Sequence, residues 1–315
     1  MDPVSDRLPN ISPLLNPGVD KPARLRRLLN SGQPLALPGA FNAISAQIIE
    51  AVGFDAVYVS GAGLNNGVAG YPDIGMLGLE EMAQLAGFIA RATHLPAIAD
   101  ADTGFGEAAQ TFRATQSYER QGLAGFHLED QVFPKRCGHL EGKTLIPAEA
   151  MAEKIRAAVA ARLNPDFLII ARTDARAVEG LEAALARAQT YLAAGADMIF
   201  PEALTTPGEF ETFAQGLRAR YPAALLLANM TEFGKTPLLT LSDFAAIGYN
   251  AVLYPMTAFR VMMRAVEDAM RQLRRDGGQA GLLSRMTDRK ALYALLRYPA
   301  YDALGHGDAT TRDAP

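Results

Sequence analysis

The sequence predicts an α/β fold, a closed (β/α)8 barrel with additional C-terminal helices, and three observations carry that prediction. Short apolar runs alternate with segments of helical spacing, the rhythm of repeated βα units. The runs are mostly continuous rather than alternating, as in strands buried on both faces. Polar residues gather where the runs end: Ser60, Asp100, Asp102, Glu129, Asp130, Arg172, Glu202 and Asn229. An open doubly wound sheet shares the first two features. The third favours the barrel, because barrel enzymes place their chemistry at the C-terminal ends of the strands.

Taken in order, a helical pattern around 22–30 precedes the first strand at 35–37. Further strands are expected at 56–59, 95–99, 125–128, 167–170, 198–200, 224–228 and 251–254. Helical spacing stands out between them at 43–52, 79–92, 107–121, 147–161 and 181–193. After the eighth strand come a helix over 257–275 and another stretch near 287–296, more than a minimal barrel requires. Packing against a second subunit would give that surplus a use. No linker-like shift interrupts the chain, so 21–302 reads as one catalytic domain, between flexible segments at 1–20 and 303–315.

The chain has 315 residues, 49% hydrophobic and 20% charged, with a formal net charge of −4. It lacks a basic stripe for nucleic acid and an apolar run of the roughly 20 residues that a membrane span needs. One cysteine excludes an intrachain disulfide and, with no apolar leader at the N-terminus, points to the cytoplasm. Neither Gly-Lys-Ser/Thr nor a Gly-x-Gly-x-x-Gly after the first strand is present, which argues against a P-loop or a dinucleotide cofactor.

Asp100 and Asp102 stand two apart at a strand end, a spacing that brings both side chains to one face. Paired carboxylates repel unless a cation joins them. Asp73 and Glu129 can add oxygens, and an oxygen-rich set favours Mg²⁺ or Mn²⁺ over zinc. Such a pair can instead cap the next helix, but Gly104, Gly106 and Glu129 tip the balance toward function. Cys137 lies in Lys135-Arg136-Cys137-Gly138-His139, and two cations, a glycine and a histidine do not make an apolar core. Lys135 and Arg136 would stabilise its thiolate, which suits a proton donor near neutral pH on a loop that closes over substrate. Arg172 can grip a carboxylate or pair with Asp174 or Glu202. Ser60-Gly61-Ala62 offers a hydroxyl and backbone N–H groups, and Asn229-Met230-Thr231 an amide and a hydroxyl. Arg260 and Arg289 are further anion-binding candidates.

The Cys137 run, with Tyr58-Val59-Ser60-Gly61, Asp100-Ala101-Asp102, His127-Leu128-Glu129-Asp130, Ala171-Arg172-Thr173-Asp174-Ala175, Pro201-Glu202-Ala203 and Asn229-Met230-Thr231-Glu232-Phe233-Gly234, resembles the isocitrate lyase and phosphoenolpyruvate mutase superfamily in order along about residues 25–300. The resemblance implies a Mg²⁺-dependent lyase that cleaves the tricarboxylate 2-methylisocitrate to pyruvate and succinate in propionate breakdown through the methylcitrate cycle. Asp100 and Asp102 would hold the ion, with Asp73 and Glu129 nearby, and Cys137 would donate the proton. Tyr58 or Glu129 would be the base. Ser60, Gly61, Ala62, Gly138 and His139 would bind substrate, as would Arg172, Glu202, Asn229, Met230, Thr231, Arg260 and Arg289. Relatives usually carry a second glycine at Ala62, a departure of little consequence if the contact is through the backbone. Isocitrate-cleaving members carry a pocket tryptophan, whereas this chain has none; Phe200 and Leu253 would reshape the pocket for an extra methyl. The resemblance also implies a homotetramer that exchanges a C-terminal helix. A 2,3-dimethylmalate lyase and a non-catalytic dicarboxylate-binding protein are the alternative readings.

Overall fold

The structure, a computed structural model, describes residues 20–136, 138 and 142–305. The Asp20 carboxylate accepts the Ala23 N–H and Pro22 occupies the first turn, so α1 (Lys21–Leu29) starts where a proline costs no hydrogen bond. Its Leu25 and Leu29 pack with Leu35, Leu37 and Ala251. Arg26 reaches the Asp166 carbonyl and Asn250 donates to the Leu29 carbonyl. The helix thereby plugs the end where strands begin.

Eight parallel strands close in chain order: β1 (Leu35–Ala40), β2 (Val57–Val59), β3 (Ala97–Asp100), β4 (Gly125–Glu129), β5 (Leu168–Thr173), β6 (Met198–Pro201), β7 (Leu225–Asn229) and β8 (Ala251–Tyr254), with β8 paired back to β1. Each strand overlaps one of the runs picked out from the sequence, with β2, β3, β5 and β7 starting one or two residues later. Their residues divide by parity. Tyr58, Ile98, Ile170, Phe200, Leu227 and Leu253 fill the barrel interior, while Val57, Ala99, Phe126, Ile169, Leu226 and Val252 face the helices. Both faces are dry, which is why the sequence shows runs and not alternation.

The helices of the barrel are α2 (Ala43–Val52), α3 (Gly61–Leu64), α4 (Leu79–Ala92), α5 (Ala108–Arg120), α6 (Ala148–Ala161), α7 (Ala175–Val178), α8 (Leu181–Ala193), α9 (Pro207–Arg218) and α10 (Leu241–Ile247). The sequence segments at 43–52, 79–92 and 181–193 coincide with α2, α4 and α8. α9 was not picked out, although Thr206 caps it by accepting the Glu209 N–H at 3.2 Å and Pro207 opens it. The described chain divides into two compact units, Asp20–Phe259 and the residues from Arg260 onward. The second contains most of α11 (Thr257–Asp276), then α12 (Arg289–Leu295) and α13 (Tyr298–Gly305). Residues 1–19 and 306–315 lie outside the described residues, and α13 continues to Gly305, past the expected start of the tail. Among the described residues, no helix is long and apolar enough to cross a membrane.

Phe126 illustrates what holds the helical layer to the barrel. It is fully buried, with Tyr118 and Phe167 rings at 5.7 and 5.6 Å in edge-on contact. Phe126→Ala should destabilise the protein by about 3–5 kcal/mol through lost burial and the cavity left behind. Urea unfolding checks this; a loss below roughly 1 kcal/mol would mean the site collapses around the truncation.

Candidate active site at the C-terminal rim

β3 ends at Asp100, so the period of two does not aim Asp102. Asp102 sits beyond the strand in the left-handed region, φ 46°, a conformation Asp adopts more readily than most residues. Its N–H donates to Asp100 Oδ1 at 2.9 Å and its carbonyl accepts the Glu129 N–H at 2.9 Å. A turn tied to β4, and not strand periodicity, brings the two carboxylates together. Gly61 backs them closely: a β-carbon there would collide with the Asp100 carboxylate.

Lys135 reaches into this cluster. Its ammonium, almost fully buried, lies 2.5 Å from Asp73 Oδ1 and 2.8 Å from Asp102 Oδ1. The sequence reading set Lys135 beside the thiolate of Cys137, which lies outside the described residues; in the structure its ammonium pairs with carboxylates. Burial pushes the Asp102 carboxyl up to about 6 against the pull of Lys135, and raises Asp100 as well. Three carboxylates thus face one ammonium, and Asp102 Oδ1, close to Lys135 but badly directed, receives no hydrogen bond. Among the described residues no group of three or more His, Cys, Asp or Glu side chains converges as a formed metal cage. The donors nevertheless fit a hard divalent cation: they are oxygens, buried, and in excess of the positive charge beside them.

Across the barrel mouth, Arg172 at the end of β5 sits over Phe200, with its guanidinium carbon 5.3 Å from the ring centroid. Its Nε and Nη2 donate to the two Asp174 oxygens at 2.9 and 3.1 Å, and Nη1 lies 3.2 Å from Glu129 Oε2. Glu202 is further, at 3.8 Å, and accepts from Asn229. The salt bridge to Asp174 expected as the bland alternative is therefore present, and so is the carboxylate-rich setting of a functional arginine. Glu129 is buried, its proton held more tightly through burial against the pull of Arg172, and its Oε1 has no hydrogen-bond partner.

Tyr58 and His127 share a hydrogen bond of 2.8 Å between the hydroxyl and Nε2. Burial pushes the imidazole down to about 3, so it is neutral, and pushes the phenol well above its usual value. In the sequence His127 stands out only within the His127-Leu128-Glu129-Asp130 motif; its role as partner to Tyr58 has no local sequence signal. Phe200 packs edge-on against His127 at 5.4 Å, and Leu253 joins the same interior cluster.

Several other expected residues have defined local roles. Ser60 caps α3 by accepting the Gly63 N–H at 3.1 Å and donates to the Met256 sulfur. Ala62 belongs to the first turn of α3. Met230 is buried, its N–H donating to the Leu253 carbonyl, and Thr231 follows it at the rim. Gly138 sits against the arginine: a β-carbon there would stand 2.5 Å from Arg172 Nη2 and 2.6 Å from Glu202 Cγ. Arg260 and Arg289 belong to the second compact unit. Cys137 and His139 lie outside the described residues.

Comparison with known proteins agrees with this geometry. The family model described as phosphoenolpyruvate phosphomutase matches residues 25–274. A probable 2-methylisocitrate lyase 1 of Corynebacterium glutamicum is 52% identical over 84% of this chain and 86% of its own length. A crystal structure of 2,3-dimethylmalate lyase, described as a PEP mutase/isocitrate lyase superfamily member, superposes with a TM-score of 0.86 at 35% identity, covering 95% of this chain and 100% of that one. Phosphonopyruvate hydrolase, solved in complex with oxalate and Mg²⁺, has a TM-score of 0.83 at 30% identity over 94% and 100%.

Proposed function

The chain belongs to the phosphoenolpyruvate phosphomutase family, within the PEP mutase/isocitrate lyase superfamily, and from that premise we propose that it cleaves 2-methylisocitrate to pyruvate and succinate. The observation that carries the reading is the grouping of the rim charges into two clusters. Asp73, Asp100 and Asp102 gather about the Lys135 ammonium, and Glu129 and Glu202 about Arg172. A hydroxy-tricarboxylate needs both, a cation-holding end for its hydroxy acid and cationic groups for its remaining carboxylates.

Asp100 and Asp102 would hold Mg²⁺, with Asp73 nearby and Mn²⁺ as a possible substitute. Bound there, a divalent ion supplies Lewis acidity to the substrate hydroxyl and its neighbouring carboxylate. Glu129 suits the base because Oε1 is uncommitted, whereas the Tyr58 hydroxyl is engaged with His127 and is better placed to hold a proton. Loss of the hydroxyl proton turns that carbon into the ketone carbon of pyruvate as its bond to the neighbouring carbon breaks. The bonding electrons remain on the departing carbon and spread into a succinate carboxylate, where Arg172 opposes the charge. Cys137 then delivers a proton to that carbon. The Ser60–Ala62 turn, Gly138, His139, Asn229, Met230 and Thr231 complete the binding set, and Phe200 and Leu253 set the room for the methyl group.

Release of the 2-oxo acid, each with Mg²⁺, tests the assignment: pyruvate from 2-methylisocitrate and 2,3-dimethylmalate, glyoxylate from isocitrate, and pyruvate from oxaloacetate by decarboxylation. 2-Methylisocitrate should give the highest kcat/KM, with isocitrate cleaved more slowly, since one methyl is worth about 1–3 kcal/mol. A preference for 2,3-dimethylmalate would instead support the second reading, to which the structural relative points. No turnover of any compound would favour a dicarboxylate-binding protein. EDTA should abolish turnover and Mg²⁺ restore it. The wider setting proposed is the methylcitrate cycle in the cytoplasm. For assembly, the proposal is a homotetramer with an exchanged C-terminal helix; Met263, Val266 and Met270, spaced along one stripe of α11, are exposed in the single chain.

A further inference from the structure

We propose that Lys143 is a positioning residue: anchored by Asp174, its ammonium clamps the Gly138 carbonyl and thereby sets the backbone beside Cys137 over Arg172 and Glu202. The inference rests on the lyase reading for its consequence in turnover, and on geometry alone for the clamp.

Lys143 is an unusual lysine. Its side chain is 1% exposed, and its ammonium donates to Asp174 Oδ1 at 2.7 Å and to the Gly138 carbonyl. Burying an ammonium is costly unless it is paired and hydrogen-bonded, so the site is built around it. Asp174 is itself held in place: its N–H donates to Asp130 Oδ1 at 2.9 Å, and Asp130 Oδ2 accepts from Thr173 and Tyr191, each at 2.7 Å. One carboxylate therefore orients both the arginine meant for substrate and the lysine that grips the backbone next to the thiol. Gly138 lies so close to Arg172 and Glu202 that any side chain would collide, which marks this as a seat and not a passing contact.

The limbs of the loop end in regular pairing nearby. Val132 N–H donates to the Thr144 carbonyl at 2.8 Å, and Gln131 bridges Leu145 in antiparallel fashion. That pairing fixes where the chain leaves and rejoins the barrel. Lys143, next to the closing pair, reaches back five residues to the Gly138 carbonyl.

The test uses the full chain and its single cysteine, so that iodoacetamide reports on Cys137 alone. In the ligand-free protein, Lys143→Met should raise the alkylation rate by about ten-fold. It should lower kcat roughly 100-fold while the succinate dissociation constant stays within about three-fold, because Arg172 keeps its own contacts with Asp174. Leu217→Ala, a buried truncation on α9, supplies a destabilised control whose alkylation rate should match wild type. If Lys143→Met does not fold, Lys143→Gln, which keeps a donor without the charge, takes its place and should shift the rate in the same direction. An alkylation rate within two-fold of wild type overturns the clamp whatever substrate is turned over. Absence of methylisocitrate cleavage by the wild-type protein, with the alkylation difference intact, would defeat the substrate reading and leave the clamp standing.

Discussion

Cys137→Ser is expected to lower kcat for methylisocitrate cleavage by about 10³-fold, in the range typical of losing a positioned general acid. The serine hydroxyl is nearly isosteric but far less acidic than a thiol, so it cannot hand over a proton on the same timescale. Binding should survive. Arg172, with its three carboxylate neighbours and its seat above Phe200, does not depend on the sulfur, and the dissociation constant for succinate should change less than about three-fold. Steady-state kinetics beside calorimetric titration of succinate separate the two quantities. Turnover within about five-fold of wild type would remove Cys137 from the chemistry and shift attention to Tyr58, whose hydroxyl holds its proton beside His127.

Asp102→Asn should be comparably damaging, by roughly 10³-fold in kcat/KM, and for a different reason. Asparagine tolerates the left-handed backbone at φ 46°, so the change removes charge without forcing the turn open. Two effects follow. The cluster facing Lys135 falls from three carboxylates to two, which weakens its hold on a divalent cation; several kcal/mol of Lewis-acid assistance go with it, at about 1.4 kcal/mol per factor of ten. Lys135, almost fully buried, also loses one of its two close counter-charges and keeps Asp73 at 2.5 Å. Mn²⁺ binding followed by electron paramagnetic resonance should weaken by at least about 30-fold, while the melting temperature falls by a few degrees. Unchanged Mn²⁺ affinity would take Asp102 out of the metal-binding set.

Much of the site was legible because its parts are strand ends. Asp100, Glu129 and Asn229 close β3, β4 and β7, Arg172 stands one residue from the end of β5, and a barrel gathers such residues whatever lies between them. Lys135, Lys143 and His127 were not legible in the same way. A lysine in a glycine-containing loop reads as solvent-exposed, and only the fold supplies the buried carboxylates that make these two interior. His127 alternates with apolar neighbours on β4, and its hydrogen bond to Tyr58 spans 69 positions in sequence. Asp102 was assigned to the right place for an incomplete reason: the strand stops before it, and a left-handed turn does what periodicity was expected to do.

The sequence alone determined the barrel, since eight dry strands separated by helices have few ways to bury both faces, and it named the rim residues and the family through collinear motifs. Only the tertiary structure decided how charge is shared among them. It gave Lys135 to the aspartates, Asp174 jointly to Arg172 and Lys143, and Tyr58 to His127. Periodicity along a chain reports which face a residue takes. The strength and partnership of a buried charge depend on distances across the barrel, and those exist only once the sheet has closed.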